Sequence, residues 1–132
     1  MGEPSQTTEF LNDREVHGKH YQAEYQHWDW AYDLKLSYMH ASPGKYIARH
    51  SKKNGAEDIR KAMSFYIKMK ELNAPHAYQK LDVLEDILTL KFFQLNKIPV
   101  LECEVIQMGL CGEYDLAIIG CQNLLRRSYG VS

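Results

Sequence analysis

The chain lacks a long apolar run and a secretory signal. No apolar stretch approaches the roughly 18 to 20 residues that a membrane span requires. The first residues, Met1 to Ser5, lack the basic and apolar regions of a signal peptide. We therefore expect a cytoplasmic protein that has no membrane partner.

Cysteine and net charge are also low. The three cysteines, Cys103, Cys111 and Cys121, are spaced too widely for zinc-binding pairs, and their odd number does not suit a disulfide framework. We interpret them as buried thiols and predict no metal ligands. A formal net charge of -1 argues against a general polyanion binder, so nucleic acid is not expected as a partner.

The composition is that of an ordinary globular protein. The 132 residues are 45% hydrophobic and 25% charged, which suits one domain with its own core. Residues 1–18 are polar and show no periodicity, so we predict a flexible tail there. Residues 19–132 are predicted to form a single helical domain.

Apolar periodicity predicts three helices in the first half of this domain. The first helix is expected from Tyr25 to about His40. The second is expected to begin at Ser42-Pro43, a preferred N-cap followed by a residue suited to the first turn, and to end near Asn54-Gly55. The third and clearest helix, from about Ala56 to Leu72, carries a stripe that we predict to be buried: Ile59, Ala62, Met63, Tyr66 and Ile67.

The second half predicts further helices. A long helix that stops before Ile98-Pro99 is predicted from the spacing of Ala77, Leu81, Leu84, Leu88 and Leu95. The segment 100–106 suits a helix or an edge strand, and we favour the helix; a helix is also predicted for 113–127. The predicted fold is a compact all-α bundle of about five or six helices.

Positive charge is concentrated in one segment. Between Lys45 and Lys61 there are six basic and two acidic residues, a local charge of +4, so the rest of the chain sums to -5. Lys45, Arg49 and Lys53 follow at helical intervals, and the start of the next helix is a ready anion site. Phosphate recognition is one interpretation; a solvated face, with Glu57 paired to Lys61, is the alternative.

The same segment carries an ordered set of motifs. His20-Tyr21 and Trp28 precede Lys45-Tyr46-Ile47-Ala48-Arg49, Lys53, Glu57-Asp58-Ile59, Lys61-Ala62 and Phe65-Tyr66. Over residues 19–71 this order resembles a family of small phage nucleotide kinase-like proteins, in which an HY pair is followed by KYxxR and EDLxKAxxYL. The resemblance implies a phage protein that handles nucleoside phosphates in the cytoplasm of the infected bacterium.

Site residues follow from the resemblance together with their chemistry. Lys45, Arg49 and Lys53 would neutralise phosphate oxygens, while Tyr21, Trp28 or Tyr46 would stack on a base. His20 would donate to a phosphate or move a proton, so the catalytic candidates are His20, Arg49 and Lys61. Glu57 or Asp58 would hold Lys61, bind a ribose hydroxyl or carry a metal. The cofactor stays open, with magnesium bound alongside the nucleotide as one candidate.

The chain departs from common kinases in having no Gly-rich phosphate loop, because Gly44-Lys45 is followed by Tyr46. Three functions therefore stay in view. They are a nucleotide kinase, acting on nucleoside monophosphates; a non-catalytic protein that sequesters a nucleotide, for example a host immune signal; and an all-α nucleoside triphosphate pyrophosphohydrolase. The last would use acids at helical spacing, namely Asp82, Glu85, Asp86, Glu102 and Glu104.

A homo-oligomer is also expected. The chain has 9 tyrosines. Its C-terminal segment carries apolar residues on more than one helical face, namely Leu116, Ile118, Ile119, Leu124 and Leu125. This is more apolar surface than one core contact needs, so part of it is predicted to meet another subunit.

Overall fold

Six α-helices and one 3-10 turn organise residues 24–78 and 83–132, the part of the chain that this computed structural model describes, and no strand occurs in it. The helices are α1 (His27–Asp33), α2 (Tyr38–Arg49), α3 (Ala56–Glu71), α4 (Val83–Leu95), α5 (Val100–Leu110) and α6 (Tyr114–Tyr129). The 3-10 turn, His50–Lys52, follows α2. The predicted all-α bundle is confirmed, and 100–106 is helical. Ala77, which was predicted to lie in the long helix, instead lies in a bend before α4, where its N–H donates to the Leu110 carbonyl at 3.0 Å. The predicted tail lies outside the described residues.

The chain between Tyr25 and Arg49 differs from the prediction. The expected single helix up to His40 is interrupted after Asp33, where Lys35 adopts a left-handed backbone with φ of 55°. Ser37 then caps α2, accepting a hydrogen bond from the His40 N–H at 3.2 Å. The predicted cap at Ser42-Pro43 was therefore wrong, since both residues lie inside α2.

Pro43 lies inside α2 and interrupts its hydrogen-bond ladder. It removes one helical hydrogen bond, while the neighbouring Ser42 hydroxyl donates to the Tyr38 carbonyl at 2.6 Å. Ser37 is exposed at the start of α2, whereas Ser42 is buried inside the helix. This difference in burial arises only when the helices pack together.

Helix α3 confirms most of the predicted stripe. Ile59, Ala62 and Tyr66 are buried, and Met63 is partly buried against the same core. Ile67 was predicted to be buried but is 39% exposed, and Met69 is buried instead. The inward face thus drifts along the helix, as the 3.6-residue repeat allows.

The bundle is built from two packing groups. Helix α3 lies along α2 and α6, and α5 packs on α6 and α2. Gly109 permits a close approach of α5 to α3, because a Cβ there would lie 2.3 Å from Cε1 of the Tyr66 ring. In the second group, α1 packs on α4, with the Trp30 and Phe92 rings stacked 4.6 Å apart.

A buried polar cluster fixes the second group. The indole N–H of Trp30 donates to the Thr89 hydroxyl at 3.0 Å, and that hydroxyl lies 2.6 Å from the hydroxyl of Tyr78. Trp30 has no exposed surface. Because a buried indole needs an acceptor, Thr89 gives α1 a defined position on α4.

The three cysteines are free but differ in exposure. Cys121 is buried and Cys103 partly buried, whereas Cys111 is exposed. The prediction of buried thiols was thus wrong for Cys111, which lies in the turn between α5 and α6. No helix in the described residues is long and apolar enough to cross a membrane.

The two isoleucines of α3 provide a matched test of this packing. We expect Ile59→Ala to lower the free energy of unfolding by about 2–5 kcal/mol, because it leaves a cavity at a fully buried position. Ile67→Ala, at a position 39% exposed, is expected to cost under about 1 kcal/mol. Urea denaturation followed by circular dichroism measures both, and equal losses would contradict the packing described here.

Candidate functional site

Arg49 and Asp58 form an ion pair where α2 ends and α3 begins. Nε of Arg49 donates to Oδ2 of Asp58 at 3.3 Å, and Nη2 donates to Oδ1 at 3.2 Å. The Asp58 side chain has no exposed surface, and that of Arg49 is 29% exposed. Arg49 is therefore engaged inside the protein rather than displayed as a free surface cation.

The turn between the two helices makes this pair possible. Gly55 takes φ of 59°, a conformation that favours glycine, and its N–H donates to the His50 carbonyl at 2.9 Å. The chain reverses there, and the Asn54 N–H also donates to Oδ2 of Asp58 at 3.1 Å. A carboxylate in the first turn of α3 complements the positive end of the helix dipole. The start of α3, where a phosphate was expected, thus already holds a negative group.

Tyr46 is the centre of a cationic surface next to this pair. The Arg49 guanidinium carbon lies 4.9 Å from the centroid of the Tyr46 ring. The Nζ atoms of Lys61 and Lys45 lie 5.5 Å and 5.8 Å from the same centroid. A ring face attracts cations, so one phenol gathers three positive groups from two helices.

Aromatic rings continue this surface. The Tyr46 ring lies 6.2 Å from the ring of Phe65, and that ring lies 5.6 Å from Tyr38 in an edge arrangement. Tyr38 is 75% exposed. The whole set, which we call the cationic-aromatic surface, comprises Tyr38, Lys45, Tyr46, Arg49, Lys61 and Phe65.

The structure brings some of the predicted site residues together and separates others. The cationic-aromatic surface contains four of the predicted site residues: Lys45, Tyr46, Arg49 and Lys61. A fifth, Asp58, is buried beside this surface and forms the ion pair with Arg49. Within the described residues, Lys61 forms no ion pair with Glu57, although the solvated-face interpretation expected one; its amine lies by Tyr46 instead.

The remaining predicted residues lie elsewhere. Lys53 was expected to continue the row of Lys45 and Arg49, but α2 ends at Arg49 and the 3-10 turn breaks the helical spacing. Trp28 is 60% exposed on α1 and makes no ring contact with Tyr46. Glu57 is exposed at the start of α3. His20 and Tyr21 lie outside the described residues.

A buried network behind this surface was not predicted. Nε2 of His50 lies 2.8 Å from Oε2 of Glu102, and Nδ1 lies 2.6 Å from the Tyr129 hydroxyl. Because a carboxylate only accepts, the Nε2–H of His50 donates to Glu102, while Nδ1 contacts the Tyr129 hydroxyl. The network joins the end of α2 to α5 and α6. Its sequence signal was weak: His50 follows buried Ile47 by three residues and so shares its face.

Electrostatics link this network to the ion pair. Burial raises the pKa of Tyr129, and the charges of Asp58 and Glu102 raise it further. Glu102, a candidate carboxylate of the pyrophosphohydrolase hypothesis, is occupied by His50 rather than grouped with other acids. The described part of the chain holds no group of three or more His, Cys, Asp or Glu side chains placed to bind a metal ion.

Comparison of the chain with protein-family models, curated proteins and solved structures found no match. The resemblance to phage nucleotide kinase-like proteins therefore stays a prediction that rests on the motifs alone.

Arg49 is expected to be important for stability, because its removal leaves the buried carboxylate of Asp58 without its charged partner. Arg49→Ala should lower the free energy of unfolding by about 2–4 kcal/mol, since Asp58 keeps only the Asn54 N–H among these partners. Arg60→Ala, at an exposed position on α3, should change it by less than about 0.5 kcal/mol. Thermal and urea denaturation measure both. An Arg49 variant as stable as the wild type would show that the pair does not hold Asp58.

Proposed function

We propose that the protein binds a nucleoside phosphate at the cationic-aromatic surface. The observation that carries this proposal is the convergence of Lys45, Arg49 and Lys61 within 6 Å of one aromatic ring. Asp58 compensates the charge of Arg49, but Lys45 and Lys61 have no carboxylate partner in the described residues, and one ring offsets their mutual repulsion only in part. A phosphate, which carries negative charge and several acceptor oxygens, is a suitable ligand for such a group.

The two lysines are the expected phosphate ligands. Both are exposed, and neither forms an ion pair with a carboxylate in residues 24–78 and 83–132. They approach Tyr46 from α2 and α3, so a phosphate between them receives hydrogen bonds from both helices. Arg49 has a different role: its charge is compensated by Asp58, and this pairing holds the guanidinium against the Tyr46 ring, so Arg49 acts as a positioning residue.

The aromatic residues supply a place for the base. Tyr38 is 75% exposed and continues the row through Phe65 to Tyr46. Stacking of a base on such a ring contributes about 1–3 kcal/mol and tolerates different bases. This surface supports binding, and phosphoryl transfer is not needed to explain any contact in it. In the setting implied by the motifs, a phage protein would thereby sequester a nucleotide in the bacterial cytoplasm.

Calorimetry with AMP, ATP and inorganic phosphate tests the lysines. Lys61→Ala and Lys45→Ala should each weaken nucleotide binding by roughly tenfold to a hundredfold, because each removes a charge-assisted hydrogen bond. Arg60→Ala is the matched control, since it removes an exposed cation adjacent to Lys61 that does not contact Tyr46. Absence of nucleotide binding by the wild type, or equal losses in the Arg60 and Lys61 variants, would refute the site. Tighter binding of a single-stranded oligonucleotide than of ATP would also refute a nucleotide as the ligand.

A second arm separates the base from the phosphate. Tyr38→Ala should weaken binding of ATP while leaving the weaker binding of inorganic phosphate unchanged, because only the base stacks on this ring. Incubation with labelled ATP and magnesium then checks turnover. We expect retention of the intact nucleotide; phosphoryl transfer would support the kinase alternative, and pyrophosphate release would support the pyrophosphohydrolase alternative.

A further inference from the structure

Ser37 and His40 form a hydrogen-bonded pair at the surface, where α2 begins. Oγ of Ser37 lies 2.7 Å from Nδ1 of His40. Ser37 is exposed and His40 is partly exposed, so a small molecule has access to both side chains. Ser42 and Ser64 instead direct their hydroxyls to backbone carbonyls of their own helices. Ser37 thus differs from these two serines in having a titratable base as its neighbour.

A backbone carbonyl fixes the orientation of the His40 ring. Nε2 of His40 lies 2.8 Å from the carbonyl oxygen of Pro75. A carbonyl oxygen only accepts hydrogen bonds, so Nε2 carries the proton that is donated to it. In the neutral imidazole, Nδ1 then has the free lone pair and accepts the hydrogen bond of the Ser37 hydroxyl. The tautomer that the Pro75 carbonyl imposes is therefore the one that a general base beside Ser37 requires.

The Pro75 carbonyl is in turn held by α6. The Tyr114 hydroxyl, at the start of α6, donates to this oxygen at 3.1 Å and lies 3.3 Å from Nε2 of His40. Tyr114 is buried, which fixes the position of its hydroxyl. The site thus has a nucleophile, a base within hydrogen-bond reach of it, and a third group that orients the base. These three parts are the structural signature of an activated serine.

We propose that Ser37 is the nucleophile of an acyl-transfer site that hydrolyses carboxylic esters, with His40 as its general base. Oγ of Ser37 attacks the ester carbonyl carbon, and its proton passes to Nδ1 of His40. The bond to the leaving oxygen then breaks, and this oxygen takes the proton from Nδ1. An alcohol is released, and the acyl group stays on Oγ.

Water completes the reaction in a second step. A water molecule attacks the acyl carbon while Nδ1 of His40 takes one of its protons. The bond between Oγ of Ser37 and the acyl carbon then breaks, and Oγ recovers that proton from Nδ1. A carboxylic acid is released, and both side chains return to their starting state.

The surroundings of Ser37 favour an ester with an aromatic group. Tyr38, the next residue, is 75% exposed, and its ring lies 5.6 Å from the ring of Phe65. An aromatic group of the ester packs on the Tyr38 ring beside the nucleophile. The proposal does not rest on nucleotide binding, because neither step of the reaction uses Lys45 or Lys61.

Ser37 also caps α2, so the variant that tests the nucleophile must keep the cap. Oγ of Ser37 accepts from the His40 N–H at 3.2 Å. Asparagine is as good an N-cap residue as serine, but it has no hydroxyl. Ser37→Asn therefore separates the capping role from the nucleophilic one. Ser64→Ala is the matched control, because it removes an exposed hydroxyl whose partner is a backbone carbonyl.

Reaction of the full-length chain with p-nitrophenyl acetate tests the proposal. The wild type should release a burst of about one equivalent of p-nitrophenol per chain, and peptide mass spectrometry should locate an acetyl group on Ser37. Ser37→Asn should abolish the burst. His40→Gln should slow it by about a hundredfold or more, because a general base contributes on that scale. Ser64→Ala should leave it unchanged, and circular dichroism verifies that each variant folds.

Three results would overturn the proposal. Acetyl groups found on lysines but not on Ser37 would show that the reagent modifies the surface without a nucleophilic serine. A burst of wild-type size in Ser37→Asn would assign it to another residue, and Ser37 would then be a helix cap alone. An unchanged burst rate in a folded His40→Gln variant would show that His40 is not the base.

Discussion

A carboxylate with no exposed surface, that of Asp58, determines how the first two long helices meet. Its oxygens accept hydrogen bonds from Arg49 and from the Asn54 backbone, so the end of α2, the turn and the start of α3 are joined by one group. An unpaired charge at this depth is strongly destabilising, and every residue that satisfies it is thereby held in position. The place of Tyr46 one turn before Arg49, and of Lys61 one turn after Asp58, follows from this pair.

The buried network of His50, Glu102 and Tyr129 extends the same constraint to the other half of the bundle. The network connects His50, the residue after Arg49, to α5 and α6. The negative charge of Asp58 also raises the pKa of Tyr129. The cationic-aromatic surface is therefore supported from beneath by polar groups rather than by side-chain packing alone. Such support suits a site that gathers like charges, because the cations are held close without any ligand present.

The proposed phosphate site depends on exposed charge around an aromatic ring, and its binding is expected to weaken as salt rises.

The amino-acid sequence by itself determined the helices with strong local signals. Most of the α3 stripe and the stop of α4 before Pro99 depend on residues close in the chain, so they were predicted correctly. The cap at Ser37 instead of the predicted Ser42, the burial of Trp30 and the exposure of Ile67 depended on which faces met other helices. The candidate site divides in the same way: Lys45 and Arg49 were singled out by their spacing and Tyr46 through the motif resemblance, but their convergence with Lys61 was not predicted. The pairing of Arg49 with Asp58 and of His50 with Glu102 was decided only by the tertiary structure. The energy of burying a charge depends on partners that lie apart from it in the sequence.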